Sequence, residues 1–300
     1  MKYLKFPLEQ GRFINRALTT ETFCKPQKFK SAVLKGRVNE WLKYGFSIHE
    51  NPCRKEFLDR RLSNTPDYMD LAGKMPGDMV SVFGEEHPLA VYFPFGNVNV
   101  ECSQFYYVPT FLRRYSITYL NCAKDHDAVL ELCTCGGLTL WIDDTLVTDF
   151  VPFTRNMRKT TEVKVSFREG LNKITVCLDD LAERDTDYYF RIAYSGSDTP
   201  EIWVPVSDEV NVEKVYQGES MIRSLNFDRD VYMDEDVVLN LDNPFATPID
   251  LNFSYVLSIV SGRIHKQETL VRSFVKRIDP HCSSVKLFDA GEVPPSFYFL

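Results

Sequence analysis

The sequence has 300 residues, 44% of them hydrophobic, which suffices for two or three packed domains and excludes a disordered chain. With 35 Lys and Arg against 42 Asp and Glu, the net charge of −7 argues against nucleic-acid binding, which needs a basic face. There is no apolar run of membrane-spanning length and no signal-peptide core at the N-terminus. We therefore expect a cytoplasmic protein with no membrane partner.

The first part of the chain, residues 1–80, predicts a segment with two short helices. Apolar residues recur at helical spacing over residues 29–42. Asn51 and Pro52 fit the N-cap and first turn of a second helix. Residues 63–80 contain two prolines and two glycines, which predicts a connecting loop. Because this segment is too small for a core of its own, we expect it to pack on the domain that follows.

From about residue 81 the hydrophobic pattern changes to the period of two that is typical of β-strands. The turns predicted between these strands include Asp143-Asp144 and Glu169-Gly170. We predict a mainly β fold with a jelly-roll type β-sandwich over residues 81–204. The segments with this strand pattern are 89–93, 115–119, 130–132, 138–142, 163–167, 174–178 and 190–194.

A second all-β stretch occupies residues 205–300, and its length and strand spacing fit an immunoglobulin-like β-sandwich. Alternating apolar residues occur at 237–241 and again at 251–257, with a turn predicted at Ser261-Gly262. The sequence stops inside an apolar run at Leu300. We expect this domain to be truncated there and the natural chain to continue.

One segment resembles a known family. From Cys135 to Phe150 the sequence CGGLTLWIDDTLVTDF resembles the hairpin of protective-antigen-type domains, which are β-sandwiches that often bind sugars. Residues 163–176 resemble the next strand, glycine turn and strand of that family, whereas Asp144 stands where the family commonly has glycine. Galactose-binding-like jelly rolls show similar patterns.

The order of the two predicted sandwiches resembles the N-terminal accessory half of large bacterial glycoside hydrolases, such as the α-L-rhamnosidases. In those enzymes the catalytic carboxylates usually lie in a barrel further down the chain. The resemblance therefore implies a non-catalytic module, with the downstream catalytic domain of the same chain as its partner and a glycan as a possible ligand.

A sugar-binding site is expected to contain an aromatic ring surrounded by planar polar groups. If Leu138, Leu140 and Ile142 face the core, alternation puts Trp141 on the opposite face of the sheet. There it is either a stacking platform for a sugar or is covered by another part of the chain. The nearby loop offers further candidates for ligand binding, and the predicted set is Trp141, Phe153, Arg155 and Asn156.

The segment from residue 179 to 187 is dense in acids and was interpreted as a loop. Asp179, Asp180, Asp185 and Asp187 are candidate ligands for calcium, although their spacing differs from that of an EF-hand. The alternative is a local ion-pair network around Glu183 and Arg184, or acids that are merely solvated. No other cofactor is predicted.

The eight cysteines lie mostly in apolar strand-like runs, so we expect reduced side chains packed as small hydrophobic groups. Cys133 and Cys135 have no matching Cys or His pair nearby, so they do not predict a zinc site. The five histidines do not have the spacing of a metal-binding motif. The sequence also has no nucleotide-binding motif and no motif of a catalytic nucleophile. We therefore predict an accessory module of a glycoside hydrolase, ahead of a protein-interaction module and of a small complete enzyme.

Overall fold

The computed structural model describes residues 1–8, 12–27, 57–61, 64–154, 156–229, 236–261, 265–281, 284–288 and 298–299. The chain divides into two compact units, Met1–Val210 and Asn211–Leu300. Both are mainly β, which confirms the predicted fold class. The helix predicted over residues 29–42 and the N-cap predicted at Asn51 lie outside the described residues.

The strands of the first unit begin at residue 2, and residues 57–61 are helical. Each segment of residues 81–204 that alternates in the sequence forms a strand. The strands are β1 (Lys2–Pro7), β2 (Ala17–Thr20), β3 (Phe23–Pro26), β4 (Met79–Val82), β5 (Glu85–Tyr92), β6 (Val100–Glu101), β7 (Gln104–Cys122), β8 (His126–Thr134), β9 (Gly137–Ile142), β10 (Thr145–Phe150), β11 (Lys159–Phe167), β12 (Gly170–Thr186), β13 (Tyr189–Gly196) and β14 (Glu201–Val206).

These strands form two antiparallel sheets. The large sheet has the order β10-β9-β12-β7-β2-β5-β4, with β3 and β14 also paired to β7 and β1 paired to β14. The small sheet has the order β11-β8-β13-β6. The N-terminal segment thus differs from the prediction, because it contributes β1, β2 and β3 to the large sheet as well as helical residues. All four residues of β2 are buried, so its sequence lacks the alternation that marks a half-exposed strand.

The two sheets face each other across a packed interior. Ile174 and Val176 of β12 share a cavity of about 10 Å³ with Phe190 and Ile192 of β13, a space about the size of one water molecule. The other face of the large sheet is covered too, because Phe57 packs with Phe153 and Leu181. Since both faces are covered, every residue of β9 is buried, not only the alternate ones.

The two predicted turns are confirmed. Asp143 and Asp144 both have positive φ angles, 45° and 70°, as a two-residue hairpin turn of type I′ requires. Asp143 accepts hydrogen bonds from the Lys173 backbone N–H and the Arg168 side chain, at 2.9 and 2.7 Å. Gly170 has φ 87° where β11 turns into β12. Asparagine, aspartate and glycine tolerate this left-handed region best, which explains why the turn residues were readable.

The second unit begins with a helix that the sequence analysis missed. Asn211 caps α1 by accepting the backbone N–H of Lys214 at 3.1 Å, and Glu213 and Arg223 complement its dipole. Two valines and Gly218 weaken the helical signal of this segment. The elements are α1 (Val212–Ser224), β15 (Asn226–Phe227), β16 (Val237–Asn240), β17 (Ile249–Ser261), β18 (His265–Ile278), β19 (Ser284–Phe288) and β20 (Tyr298–Phe299).

The core of the second unit joins its helix to two three-stranded sheets, β15-β16-β19 and β18-β17-β20. Leu241, Ile278 and Val285 are buried together, and Met221 of α1 packs against them. The strand β14 pairs with β1 and β7, so residues 205 and 206 belong to the first unit, beyond the predicted boundary at 204. In the described part of the chain, no helix has the length and apolar character needed to cross a membrane.

The cap of α1 can be tested by mutation. Asn211→Ala removes the acceptor for the Lys214 N–H and should destabilise the second unit by about 1 kcal/mol. Asn211→Ser, which keeps an oxygen at the cap, should lower the stability of the second unit much less. Thermal unfolding followed by calorimetry measures both, and equal losses in the two variants would contradict a capping role.

Candidate functional site

The most unusual feature of the first unit is a guanidinium group buried on the outer face of the large sheet. Arg61 donates from Nε to Asp179 Oδ2 at 2.7 Å, and from its two terminal nitrogens to Asp149 at 2.7 and 3.1 Å. It also donates to Thr139 Oγ1 at 3.1 Å, and Arg113 donates to Asp179 Oδ2 at 3.0 Å. We call these five residues the Arg61 cluster. It joins the helical residues 57–61 to four strands.

Strand register builds this cluster. Asp149 lies opposite Thr139 in the β10–β9 pair, and Asp179 lies opposite Arg113 in the β12–β7 pair. Cross-strand partners share a face, so the polar side chains form a row across the sheet. Asp179 also pairs with Gly137, where a Cβ would overlap the carboxylate oxygen Oδ1. Only glycine fits there, and Oδ1 has no hydrogen-bond partner among the described residues.

The cluster is compensated in charge, with two arginines against two aspartates. The Arg61 and Asp179 side chains are 3% and 0% exposed. Burial raises the pKa of Asp179, and the two arginines oppose that shift. Burial would also raise the pKa of Asp149, yet its hydrogen bonds from Arg61 and Thr139 hold it below its usual value. The pKa of Asp179 is thus raised, whereas the pKa of Asp149 is lowered. We take both as ionised, because these carboxylates also raise the pKa of Arg61 despite its burial.

Trp141 is covered by the chain itself. Its side chain lies on the outer face, as predicted, but the residue is only 4% exposed. The Tyr68 ring contacts it edge-on at a centroid distance of 5.8 Å, and the Tyr68 hydroxyl donates to Asp144. Lys173 Nζ lies 2.6 Å from the Asp144 carboxylate. Residues 64–73 thus form the cover, whereas the helical residues 57–61 lie beside Trp141, over Phe153.

The other predicted sugar-binding residues are dispersed or buried. Phe153 is 2% exposed and stacks on Phe57 at 5.0 Å, with an unusual φ of 50°. Asn156 is exposed, but its side chain donates to the Asp185 carbonyl at 2.6 Å and accepts the Asp187 N–H at 2.8 Å. Arg155 lies outside the described residues. The structure therefore shows no shared surface for Trp141, Phe153 and Asn156.

The predicted calcium ligands do not fit that ion. Asp179 and Asp180 lie inside β12, not in a loop, and both are fully buried. They point to opposite faces of the sheet, because they are neighbours in a strand. Two guanidinium groups already compensate Asp179, and among the described residues Asp185 and Asp187 do not gather with these two within 4.8 Å. The interpretation of residues 179–186 as a loop was wrong.

The cysteines agree with the prediction where the structure describes them. Cys102, Cys122, Cys133, Cys135 and Cys177 are free and buried, and Cys24 is free and exposed. Burial raises the pKa of Cys177 to about 12, so its thiol is unreactive at neutral pH.

The sequence analysis missed an exposed aromatic pair at the start of β7. Tyr107 is 92% exposed and Phe105 is 53% exposed, and their rings meet edge-on at 5.0 Å. Asp185, itself exposed, lies opposite Phe105 in β12. Tyr106, which lies between them in sequence, contacts Cys24 instead.

No family model matches the chain, and no curated protein matches it. Among solved structures, it is similar to a GH31 α-xylosidase from Xanthomonas citri at 10% identity and a TM-score of 0.26, over 41% of this chain and 16% of that one. A β-glucosidase from Kluyveromyces marxianus matches at 9% identity and a TM-score of 0.28, over 71% of this chain and 44% of that one. A β-glucuronidase from Bacteroides uniformis matches at 12% identity and a TM-score of 0.18, over 59% of this chain and 21% of that one.

These neighbours are glycoside hydrolases, and any relation to them is distant. The chain spans less than half the length of each of the three. TM-scores this low assign neither a fold nor an activity to the chain.

Removing the central guanidinium tests the Arg61 cluster. Arg61→Ala leaves Asp149 and the buried Asp179 short of a partner, so it should lower the free energy of unfolding by about 3–5 kcal/mol. The neighbouring exposed Arg60 is a matched control, and Arg60→Ala should cost about 0.5 kcal/mol or less. Urea denaturation compares the two, and a similar cost for both would show that the cluster contributes little.

The cover over Trp141 gives a second test. Trp141→Ala should cost about 3–5 kcal/mol, as expected for a buried large aromatic side chain. Tyr107→Ala, at an exposed ring, should change stability by about 0.5 kcal/mol or less. If thermal unfolding hardly shifts in Trp141→Ala, the ring is not covered in solution.

Proposed function

We propose that this chain is a non-catalytic β-sandwich module of a glycoside hydrolase-type protein. The observation that carries the proposal is how its acidic side chains are used. Hydrolysis of a glycosidic bond needs two carboxylates facing a sugar. Here Asp144, Asp149 and Asp179 instead bind Lys173, Arg61 and Arg113. These acids hold the covering segment on the sheet.

The resemblance to sugar-binding sandwiches supports the carbohydrate context. The segment that carries it forms the hairpin β9–β10, and the matching downstream segment forms β11 and β12, joined at Gly170. The second unit, with its two small sheets, serves in this proposal as an immunoglobulin-like spacer. Its partner is a catalytic domain of the same protein.

The glycan contact of this module is at the Phe105–Tyr107 pair, not at Trp141. A sugar ring stacks on an accessible aromatic face, and Tyr107 has one whereas Trp141 does not. The exposed Asp185 beside Phe105 adds the polar acceptor that orients sugar hydroxyl groups. This surface lies where β7 pairs with the last residues of β12.

The same pair also favours a second function, a protein-interaction module with no glycan role. Exposed aromatic residues are enriched at protein interfaces and frequently dominate their binding energy. The two functions can be distinguished with soluble oligosaccharides, because only a glycan-binding module binds them as an isolated chain.

A glycan array tests the proposal, with the chain compared with Tyr107→Ala and Val108→Ala. Val108 follows Tyr107 in β7 and is also exposed, at 51%, but it has no aromatic ring, so it is a matched control. We expect binding that Tyr107→Ala weakens about fivefold or more and that Val108→Ala leaves unchanged, since loss of stacking costs about 1 kcal/mol or more.

A screen with chromogenic aryl glycosides accompanies the array. Hydrolysis by the chain itself would overturn the non-catalytic role. No glycan bound by the chain, with no hydrolysis, would favour the protein-interaction function. Binding that is lost equally in both variants would move the glycan site away from the Phe105–Tyr107 pair.

A further inference from the structure

Apart from the Arg61 cluster, three metal-ligating side chains of the first unit converge. Cys122 ends β7, His126 begins β8, and Asp198 lies between β13 and β14. One donor atom of each residue lies within 4.8 Å of the other two. The side chains of His126 and Asp198 are 2% and 11% exposed, so the group is largely shielded yet touches solvent at Asp198.

Each donor is already held by a neighbour. Asn172 donates from Nδ2 to Cys122 Sγ at 3.6 Å, and the Ala123 backbone N–H donates to Asp198 Oδ2 at 2.9 Å. The Tyr194 hydroxyl lies 2.6 Å from His126 Nε2. Such outer contacts orient the ligands of protein metal sites.

The His126 imidazole has polar neighbours at both nitrogens. Its Nε2 lies 2.6 Å from the Tyr194 hydroxyl, which also lies 3.3 Å from the Asp198 carbonyl. Its Nδ1 lies 3.0 Å from the Lys124 carbonyl and 3.9 Å from the Asp198 carboxylate. When Nε2 carries the proton and donates it to Tyr194, the Nδ1 lone pair faces the Asp198 carboxylate, and a cation between them can bind both.

The position of Tyr194 depends on a glycine. A Cβ on Gly196 would overlap the Tyr194 hydroxyl, and Tyr194 is fully buried. Glycine at this position thus leaves room for a hydroxyl that helps to orient His126.

We propose that Cys122, His126 and Asp198 bind a divalent transition-metal ion, with zinc as the best match. Sulfur, imidazole nitrogen and carboxylate oxygen are the donors that zinc uses, and around a tetrahedral ion they lie about 3–4 Å apart. His126 binds through Nδ1, and the fourth position is filled by the Lys124 carbonyl or by water. On binding, the Cys122 thiol releases its proton to solvent. The ion fastens the β7–β8 turn to the β13–β14 loop, a role independent of the proposed glycan contact.

Cobalt substitution tests the site directly. The chain is stripped with a chelator and titrated with Co²⁺, which gives a near-ultraviolet thiolate charge-transfer band when sulfur binds it. We expect the band in the native chain, its loss in Cys122→Ser and its retention in Cys24→Ser, where the exposed cysteine is removed. Zn²⁺ should displace Co²⁺ and raise the Tm of the native chain.

Two further variants keep the test informative if Cys122→Ser fails to fold. Asp198→Asn can still accept the Ala123 N–H but loses the anionic ligand. Tyr194→Phe keeps all three ligands but loses the hydroxyl that contacts His126 and the Asp198 carbonyl. We expect each to weaken zinc binding about 10–100-fold in competition with a chromogenic chelator. No band in the native chain, a band that survives in Cys122→Ser, or unchanged affinity in both further variants would overturn the proposal.

Discussion

The fold of the first unit depends on one buried guanidinium. Taking Arg61 and Asp179 out of water has a large desolvation cost, and complete pairing is the condition under which such charges are tolerated. Arg61 satisfies it by reaching Asp149, Thr139 and Asp179 at once. Since these partners lie on three strands, the contact requires a single register among them. A slip by one residue would turn the carboxylates to the other face.

This constraint decides what the outer face of the large sheet can do. With Arg61 in place, residues 57–61 and 64–73 lie over the sheet, where Phe57 stacks on Phe153 and Tyr68 covers Trp141. A face that would otherwise offer aromatic rings to a ligand becomes a second core layer. The rings that stay exposed lie elsewhere, and among them are Phe105 and Tyr107, where β7 extends beyond this cover.

Much of the sandwich was predictable because alternation marks one face of each strand. The strand β9 was predicted from the alternation of Leu138, Leu140 and Ile142, and its turn was predicted from Asp143 and Asp144. Alternation says nothing about whether the second face is covered, so the burial of Trp141 depended on Tyr68, which lies 73 positions earlier in the sequence. Asp179 was assigned to a loop because two adjacent aspartates disfavour a strand, and its partner Arg61, which reverses this preference, lies 118 positions earlier in the sequence.

The two side-chain clusters of the first unit can be compared by the charges and donors within each. In the Arg61 cluster two guanidinium groups meet two carboxylates, so its charges are compensated and the group is structural. The other cluster brings together a thiol, an imidazole and one carboxylate, three different donor types for a metal ion. Burial and the Asp198 charge raise the pKa of the Cys122 thiol to about 11, so the thiol keeps its proton at neutral pH unless a cation stabilises the thiolate. A bound metal ion would supply that positive charge, which is the role we propose for this cluster.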